Sequence, residues 1–77
     1  MAGIRDIRKA KAAAMQAVKG WKAANPRKQG ESLAAYRKRA KAGIEAVLTN
    51  QYGGADWSGF LQIVMEFLKV LLPLLIV

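Results

Sequence analysis

The sequence contains no cysteine and no histidine among its 77 residues. Without cysteine the chain forms no disulfide and offers no thiolate to a metal ion. The lack of histidine removes the side chain that most often serves as a general base or metal ligand near neutral pH. The serines therefore have no imidazole to activate them as nucleophiles. We expect a non-enzymatic protein without a cofactor.

Acidic residues are scarce, with five against thirteen lysines and arginines, so the formal net charge is +8. The carboxylates are not clustered, so the sequence predicts no site for a hard cation. The charge is unevenly distributed: residues 1–56 hold twelve basic and four acidic residues, whereas residues 57–77 sum to zero. A basic body joined to a neutral apolar tail indicates a polyanionic partner.

The first segment, residues 1–24, is rich in alanine, lysine and arginine. These residues favour helix, and at 100° per residue the segment has an apolar face and a basic face. We therefore predict a basic amphipathic helix, whose apolar face holds Ile4, Ile7, Ala14, Val18 and Trp21. The breakers Asn25-Pro26 and Gly30 then indicate a basic loop over residues 25–31.

The second segment, residues 32–50, also has the pattern of a basic amphipathic helix, with Ser32 as its N-cap. Its apolar face holds Leu33, Tyr36, Ala40, Gly43, Ile44 and Val47. Gly43 either lets another helix or a lipid approach closely or is simply a tolerated helix glycine. A glycine-rich turn over residues 51–56 follows, and Asp56 is placed to cap the third helix.

The third segment, residues 57–77, is predicted to be a C-terminal hydrophobic, transmembrane helix, which completes an all-α fold. From Phe60 to Val77 a helix is about 27 Å long, just enough for a hydrocarbon core of about 30 Å. The basic residues precede it, which places residues 1–56 on the cytoplasmic or virion-interior side of the membrane. The predicted membrane anchor consists of Trp57, Phe60, Leu61, Val64, Phe67, Leu68, Leu71, Leu72 and Leu75.

Three polar residues interrupt this apolar segment. Gln62, Glu66 and Lys69 follow an i, i+4, i+7 spacing, so they form one strip along the helix. We call this strip the polar seam. Glu66 and Lys69 are spaced to form an ion pair, which reduces the cost of about 2.5–3.5 kcal/mol for each ionisable group inside a bilayer. Such a strip normally faces protein or water, so we predict that the seam packs against another protein helix.

Two other interpretations of the third helix remain open. In a soluble three-helix bundle the polar seam would face solvent, and Leu71, Leu74, Leu75 and Ile76 would form an exposed apolar patch. A helix lying flat in the membrane interface needs a broader polar face than this one.

The basic faces predict contacts with phosphates, either of anionic lipid headgroups or of nucleic acid. Trp21 and Tyr36 could stack on bases, but their place on apolar faces favours a role as core or interfacial anchors. The candidate polyanion-binding residues are Arg5, Arg8, Lys9, Lys19, Arg27, Lys28, Arg37, Lys38 and Lys41.

These features together favour a small membrane-anchored protein that docks a polyanion. We expect it to be a structural or assembly component of a larger complex, such as a virion or membrane complex, and to belong to an oligomer or larger assembly. Its expected partners are an anionic lipid membrane, other protein helices and nucleic acid. The alternatives are a membrane-disrupting cationic peptide, of the bacteriocin or lysis type, and a soluble three-helix nucleic-acid-binding bundle.

Overall fold

The computed structural model describes residues 4–77, except for the side chains of Ile4, Arg5, Ala55 and Ser58. Three α-helices follow one another: α1 (Ile4–Ala24), α2 (Leu33–Tyr52) and α3 (Ser58–Leu75). A short 3₁₀ helix (Ala55–Trp57) precedes α3, and residues 4–77 contain no strand. The predicted all-α architecture of three helices is confirmed.

The transmembrane character predicted for the hydrophobic third helix is not supported. Across residues 4–77, no helix is both long enough and apolar enough to pass through a bilayer.

The three helices pack around one shared core. In each helix the buried residues recur every four positions, as expected when one side of a helix faces its neighbours. The buried residues are Ala10, Ala14 and Val18 in α1, Tyr36, Ala40, Ile44 and Leu48 in α2, and Val64, Leu68, Leu72 and Ile76 at the end of the chain. Several of the buried positions on α1 and α2 are alanines, whose small side chains let the helices approach closely.

The helices run up, down and up. The Lys22 ammonium near the end of α1 donates to the Leu75 carbonyl at the end of α3, so these two helices are parallel. Arg37 in the first turns of α2 reaches the carbonyl of Ile76, so α2 runs against α3. The bundle is elongated, at 44 × 21 × 17 Å. Its radius of gyration of 12.8 Å exceeds the roughly 11.5 Å of a compact domain of this length. Much of each helix therefore faces outward.

The two helix caps predicted from the sequence have different outcomes. Ser32 caps α2, since its hydroxyl accepts from the Ala35 N–H at 3.1 Å. The predicted cap role of Asp56 is wrong, because Trp57 precedes α3 and makes no side-chain cap. Asp56 lies inside the 3₁₀ turn instead, where the Trp57 N–H donates to the Gly54 carbonyl at 3.0 Å.

Gly43 brings α1 and α2 close together. A Cβ atom at this position would lie 3.1 Å from Cδ1 and Cε2 of Trp21, and closer still to its Nε1. The close-approach interpretation of Gly43 is therefore confirmed. Two other residues placed on apolar faces by their spacing are about half exposed, Val47 at 51% and Ile7 at 45%. The helical periodicity places a residue on one face of a helix, but only the packing decides whether a neighbouring helix covers it.

Candidate polyanion-binding surface

Most of the predicted polyanion-binding residues lie on outward positions of the bundle. Because the inner side of each helix is occupied by the core, the remaining positions present long basic side chains to solvent. The side chain of Arg5 lies outside the described residues. The exposed cations on α1, the connecting loop and α2 are Arg8, Lys9, Lys19, Arg27, Lys28, Lys38 and Lys41, with Lys11 and Lys22 in addition to the predicted set.

These cations are not neutralised by nearby acids. Between residues whose side chains are described, the ion pairs are Glu31–Arg39 and Glu66–Lys69. Neither involves a member of the exposed set. The exposed cations on α1, the loop and α2 thus keep their charge available to an external anion.

Arg37 makes hydrogen bonds within the protein. Its side chain is half-buried, with Nε donating to the Ile76 carbonyl at 2.7 Å and Nη2 to the Pro73 carbonyl at 3.2 Å. Lys22 donates to the Leu75 carbonyl at 3.0 Å from the opposite side. The two cations satisfy carbonyls at the C-terminal end of α3, where the helix dipole favours positive charge. Arg37 is therefore engaged by carbonyls of the bundle, and its predicted part in polyanion binding stays a prediction.

The sequence did contain a signal for this internal role of Arg37. Arg37 follows Leu33 by four residues and precedes Ile44 by seven, so it lies within the apolar face of α2. A cation at such a position lays its aliphatic stem along the apolar surface, and its charged head then reaches either solvent or a nearby acceptor. Which carbonyls would be there could not be read from the local pattern.

Arg39 is also engaged within the protein. Its Nη2 and Nε atoms form a two-point ion pair with the Glu31 carboxylate, at 2.9 and 3.0 Å. Its guanidinium lies 5.2 Å from the ring centres of both Trp21 and Tyr36. The Glu31 carboxylate also accepts from the Lys28 N–H at 3.0 Å. These hydrogen bonds, with that from Arg39 the largest effect, lower the pKa of Glu31 from 4.5 to about 2.

The two aromatic residues next to Arg39, Trp21 and Tyr36, act as internal anchors. Tyr36 is buried, and its hydroxyl donates to the Asn25 carbonyl at 2.7 Å. Trp21 is half-buried, with its ring centre 5.5 Å from that of Tyr36. Both rings therefore contribute to packing of the loop between α1 and α2, as their apolar placement predicts.

The polar seam on α3 faces solvent. Glu66 and Lys69 form the predicted ion pair at 3.3 Å, with their side chains 70% and 65% exposed respectively. Gln62 is also exposed. Within residues 4–77, no helix covers the seam, so its predicted packing against a protein helix has no counterpart inside the chain.

The predicted membrane-anchor residues divide between core and surface. Val64, Leu68 and Leu72 are buried, so they stabilise the bundle. Trp57 is exposed and contacts Tyr52 and Phe60 edge-on, with ring centres 5.3 Å apart in both cases. The half-buried members are Phe60, Leu61, Phe67, Leu71 and Leu75.

The outer side of α3 carries apolar side chains that α1 and α2 leave uncovered. Val70 is 59% exposed and Leu74 is 65% exposed. Sequence reasoning named Leu74 correctly as exposed in a bundle, but placed Ile76 with it, and Ile76 is buried. Ile76 is the C-cap of α3, and its N–H still donates to the Leu72 carbonyl at 2.9 Å, so it continues the buried row of Leu68 and Leu72.

Groups of histidine, cysteine, aspartate or glutamate that could hold a metal ion are absent from the described part of the chain. Neither a family model nor any curated protein or solved structure matches this sequence.

Proposed function

We propose that this protein is a non-enzymatic module that docks on an anionic membrane surface, as a structural component of an assembly there. The observation that carries this proposal is the juxtaposition of uncompensated cations with exposed apolar side chains on one small bundle. Cations such as Lys11 and Lys19 on α1 are exposed, as are Val70 and Leu74 on α3. Peripheral membrane binding combines these two kinds of surface.

The charge is sufficient for such binding. A lysine or arginine near an anionic bilayer contributes about 1 kcal/mol. The exposed cations lie on three consecutive segments of the chain: α1, the loop and α2. Because the scaffold is packed and capped, the cations do not have to be ordered when the protein binds.

The exposed apolar side chains favour lipid over nucleic acid as the polyanion. Phosphate contacts along nucleic acid require cations but no apolar surface. The aromatic rings nearest the basic face of α2 are not available for base stacking, since Tyr36 is buried and Trp21 lies under Arg39. Val70 and Leu74 would find apolar surroundings only at a bilayer or a protein partner.

Co-sedimentation with vesicles tests the proposal. The protein should pellet with vesicles of equal parts phosphatidylcholine and phosphatidylserine, and not with phosphatidylcholine alone. Lys11→Gln combined with Lys19→Gln should weaken binding about 30-fold, on the basis of about 1 kcal/mol for each charge. Gln16→Ala, an uncharged exposed position on α1, is the matched control and should leave binding unchanged.

Three results would overturn the proposal. Equal binding to both vesicle types would remove the role of the cations. Displacement of the protein from vesicles by an equal charge concentration of duplex DNA would identify nucleic acid as the preferred polyanion. Release of an entrapped dye at the concentrations that give binding would indicate membrane disruption rather than docking.

A further inference from the structure

We propose that the outer side of α3 and the adjoining side of α1 form a shallow membrane-insertion face. This inference rests on the proposed docking to an anionic membrane and adds which surface enters the lipid. Its apolar side chains are Ile7, Ile63, Phe67, Val70 and Leu74. They enter the upper acyl region of one leaflet, and the bundle stays folded on that leaflet.

These side chains form one continuous surface. On α3 they follow an i, i+4, i+7, i+11 spacing, so they share one side of the helix. Ile7 of α1 lines the same groove as Ile63, Phe67 and Val70. The surface therefore extends from α3 onto the first turns of α1 and is not a set of isolated apolar residues.

Cations border this surface. On α1, Lys11 follows Ile7 by four residues and Lys22 follows Lys11 by eleven, and both spacings return to the same side of the helix. The hydrogen bond from Lys22 to the Leu75 carbonyl places this side next to α3. On the other border Lys69 pairs with Glu66, which cancels the charge of the carboxylate that lines the groove.

This arrangement complements an anionic bilayer better than it complements a second copy. Lipid places phosphates directly above acyl chains, which matches an apolar stripe bordered by lysines. A second copy would bring another formal charge of +8 against the same border. The resulting repulsion opposes self-association through this face.

The absence of cysteine permits a direct test, because one introduced thiol is a unique labelling site. Val70→Cys and Val47→Cys would each carry an environment-sensitive fluorophore. Val47 is the matched control: it is 51% exposed, compared with 59% for Val70, and lies on the side of α2 that Gly43 turns toward α1. With vesicles of equal parts phosphatidylcholine and phosphatidylserine, emission from position 70 should shift to the blue and be quenched by brominated acyl chains. Emission from position 47 should not change.

Substitution gives an independent measurement. Val70→Gln combined with Leu74→Gln should weaken vesicle binding about tenfold. Each substitution removes a large part of the free energy gained by burying one apolar side chain in the lipid. Val47→Gln should leave binding unchanged. Circular dichroism of each variant should match the wild type, because all three positions are exposed.

The outcomes separate this inference from the proposed function. If the protein pellets with anionic vesicles while both labels respond equally, the insertion face is wrong and docking stands. If the protein does not pellet, docking itself fails. A blue shift at position 70 that grows with protein concentration in the absence of lipid would assign the face to a second copy and overturn the inference.

Discussion

Replacing Gly43 by alanine should destabilise the bundle, although alanine is the better helix former. The added Cβ would lie 3.1 Å from two ring atoms of Trp21 and in closer contact with its Nε1. The indole cannot easily move away, because Tyr36 and the Arg39 guanidinium lie against it. Crowding of this kind costs about 1–3 kcal/mol.

The helical preference of alanine offsets part of this cost. Alanine in place of an interior helix glycine stabilises by about 1 kcal/mol. The net expected effect of Gly43→Ala is therefore a loss of about 1 kcal/mol in the free energy of unfolding. For a domain of this size, that corresponds to a fall of about 4–8 °C in Tm.

Thermal unfolding followed by circular dichroism measures this effect, and Gly20 supplies the matched control. Gly20 lies inside α1, and a Cβ added there would meet no neighbouring side chain or helix within 4 Å, so Gly20→Ala should raise Tm through helix preference alone. The two substitutions should have opposite signs. Combining Gly43→Ala with Trp21→Leu should remove the crowding and leave a favourable coupling between the two sites. If Gly43→Ala stabilises as much as Gly20→Ala, the close packing of Trp21 against α2 is wrong.

Three further predictions concern the ends of the helices and the limits of the core. Arg37→Met should reduce the free energy of unfolding, measured in urea, by about 1–3 kcal/mol, because carbonyls at the end of α3 lose a charged donor. The control Lys38→Met, at an exposed neighbouring position, should change it by less than about 0.5 kcal/mol. The pKa of Glu31 is lowered to about 2, so its stabilising contribution is complete above pH 4.5 and is lost as the pH falls toward 2. Glu31→Gln should lack this part of the acid dependence of Tm, and an unchanged dependence would show that the ion pair with Arg39 does not stabilise the fold. Leu74→Gln should be nearly neutral and Ile76→Ala should cost about 2–5 kcal/mol, since the first is 65% exposed and the second is buried; equal losses would place Leu74 in the core.

The three helices and their inner sides could be predicted because local information determines them. Asn25-Pro26 and Gly30 interrupt a helical spacing, and Ser32 has the residue type and the position of an N-cap. The position of Arg37 could not be interpreted fully, because its acceptors come from residues 73 and 76. The sequence shows a cation on an apolar face, but not that the end of another helix lies there.

The predicted transmembrane helix is not supported, and the covering of α3 by its neighbours could not be predicted for a related reason. The inner sides of α1 and α2 are rich in alanine, which contributes little apolar area. From the sequence, these two helices therefore look too small to cover the apolar side of α3. The structure shows that Ala10, Ala14 and Ala40 are completely buried. Small side chains let α1 and α2 approach α3 closely enough to cover Val64, Leu68 and Leu72. The exposed cations were predicted as a class, but the place of Lys11 and Lys22 beside α3 required the packing.

The same alanines explain why the covering of α3 is incomplete. A small side chain allows close contact along the line where two helices meet, but it does not extend around the neighbour. Val70 and Leu74 lie beyond that line and stay exposed. Larger residues on the α3-facing side of α1, near Lys11, would cover more of α3 and would also displace the cations that border it. The residue choices that keep the bundle narrow are therefore the ones that leave apolar side chains next to lysines, which is the surface that the proposed membrane docking requires.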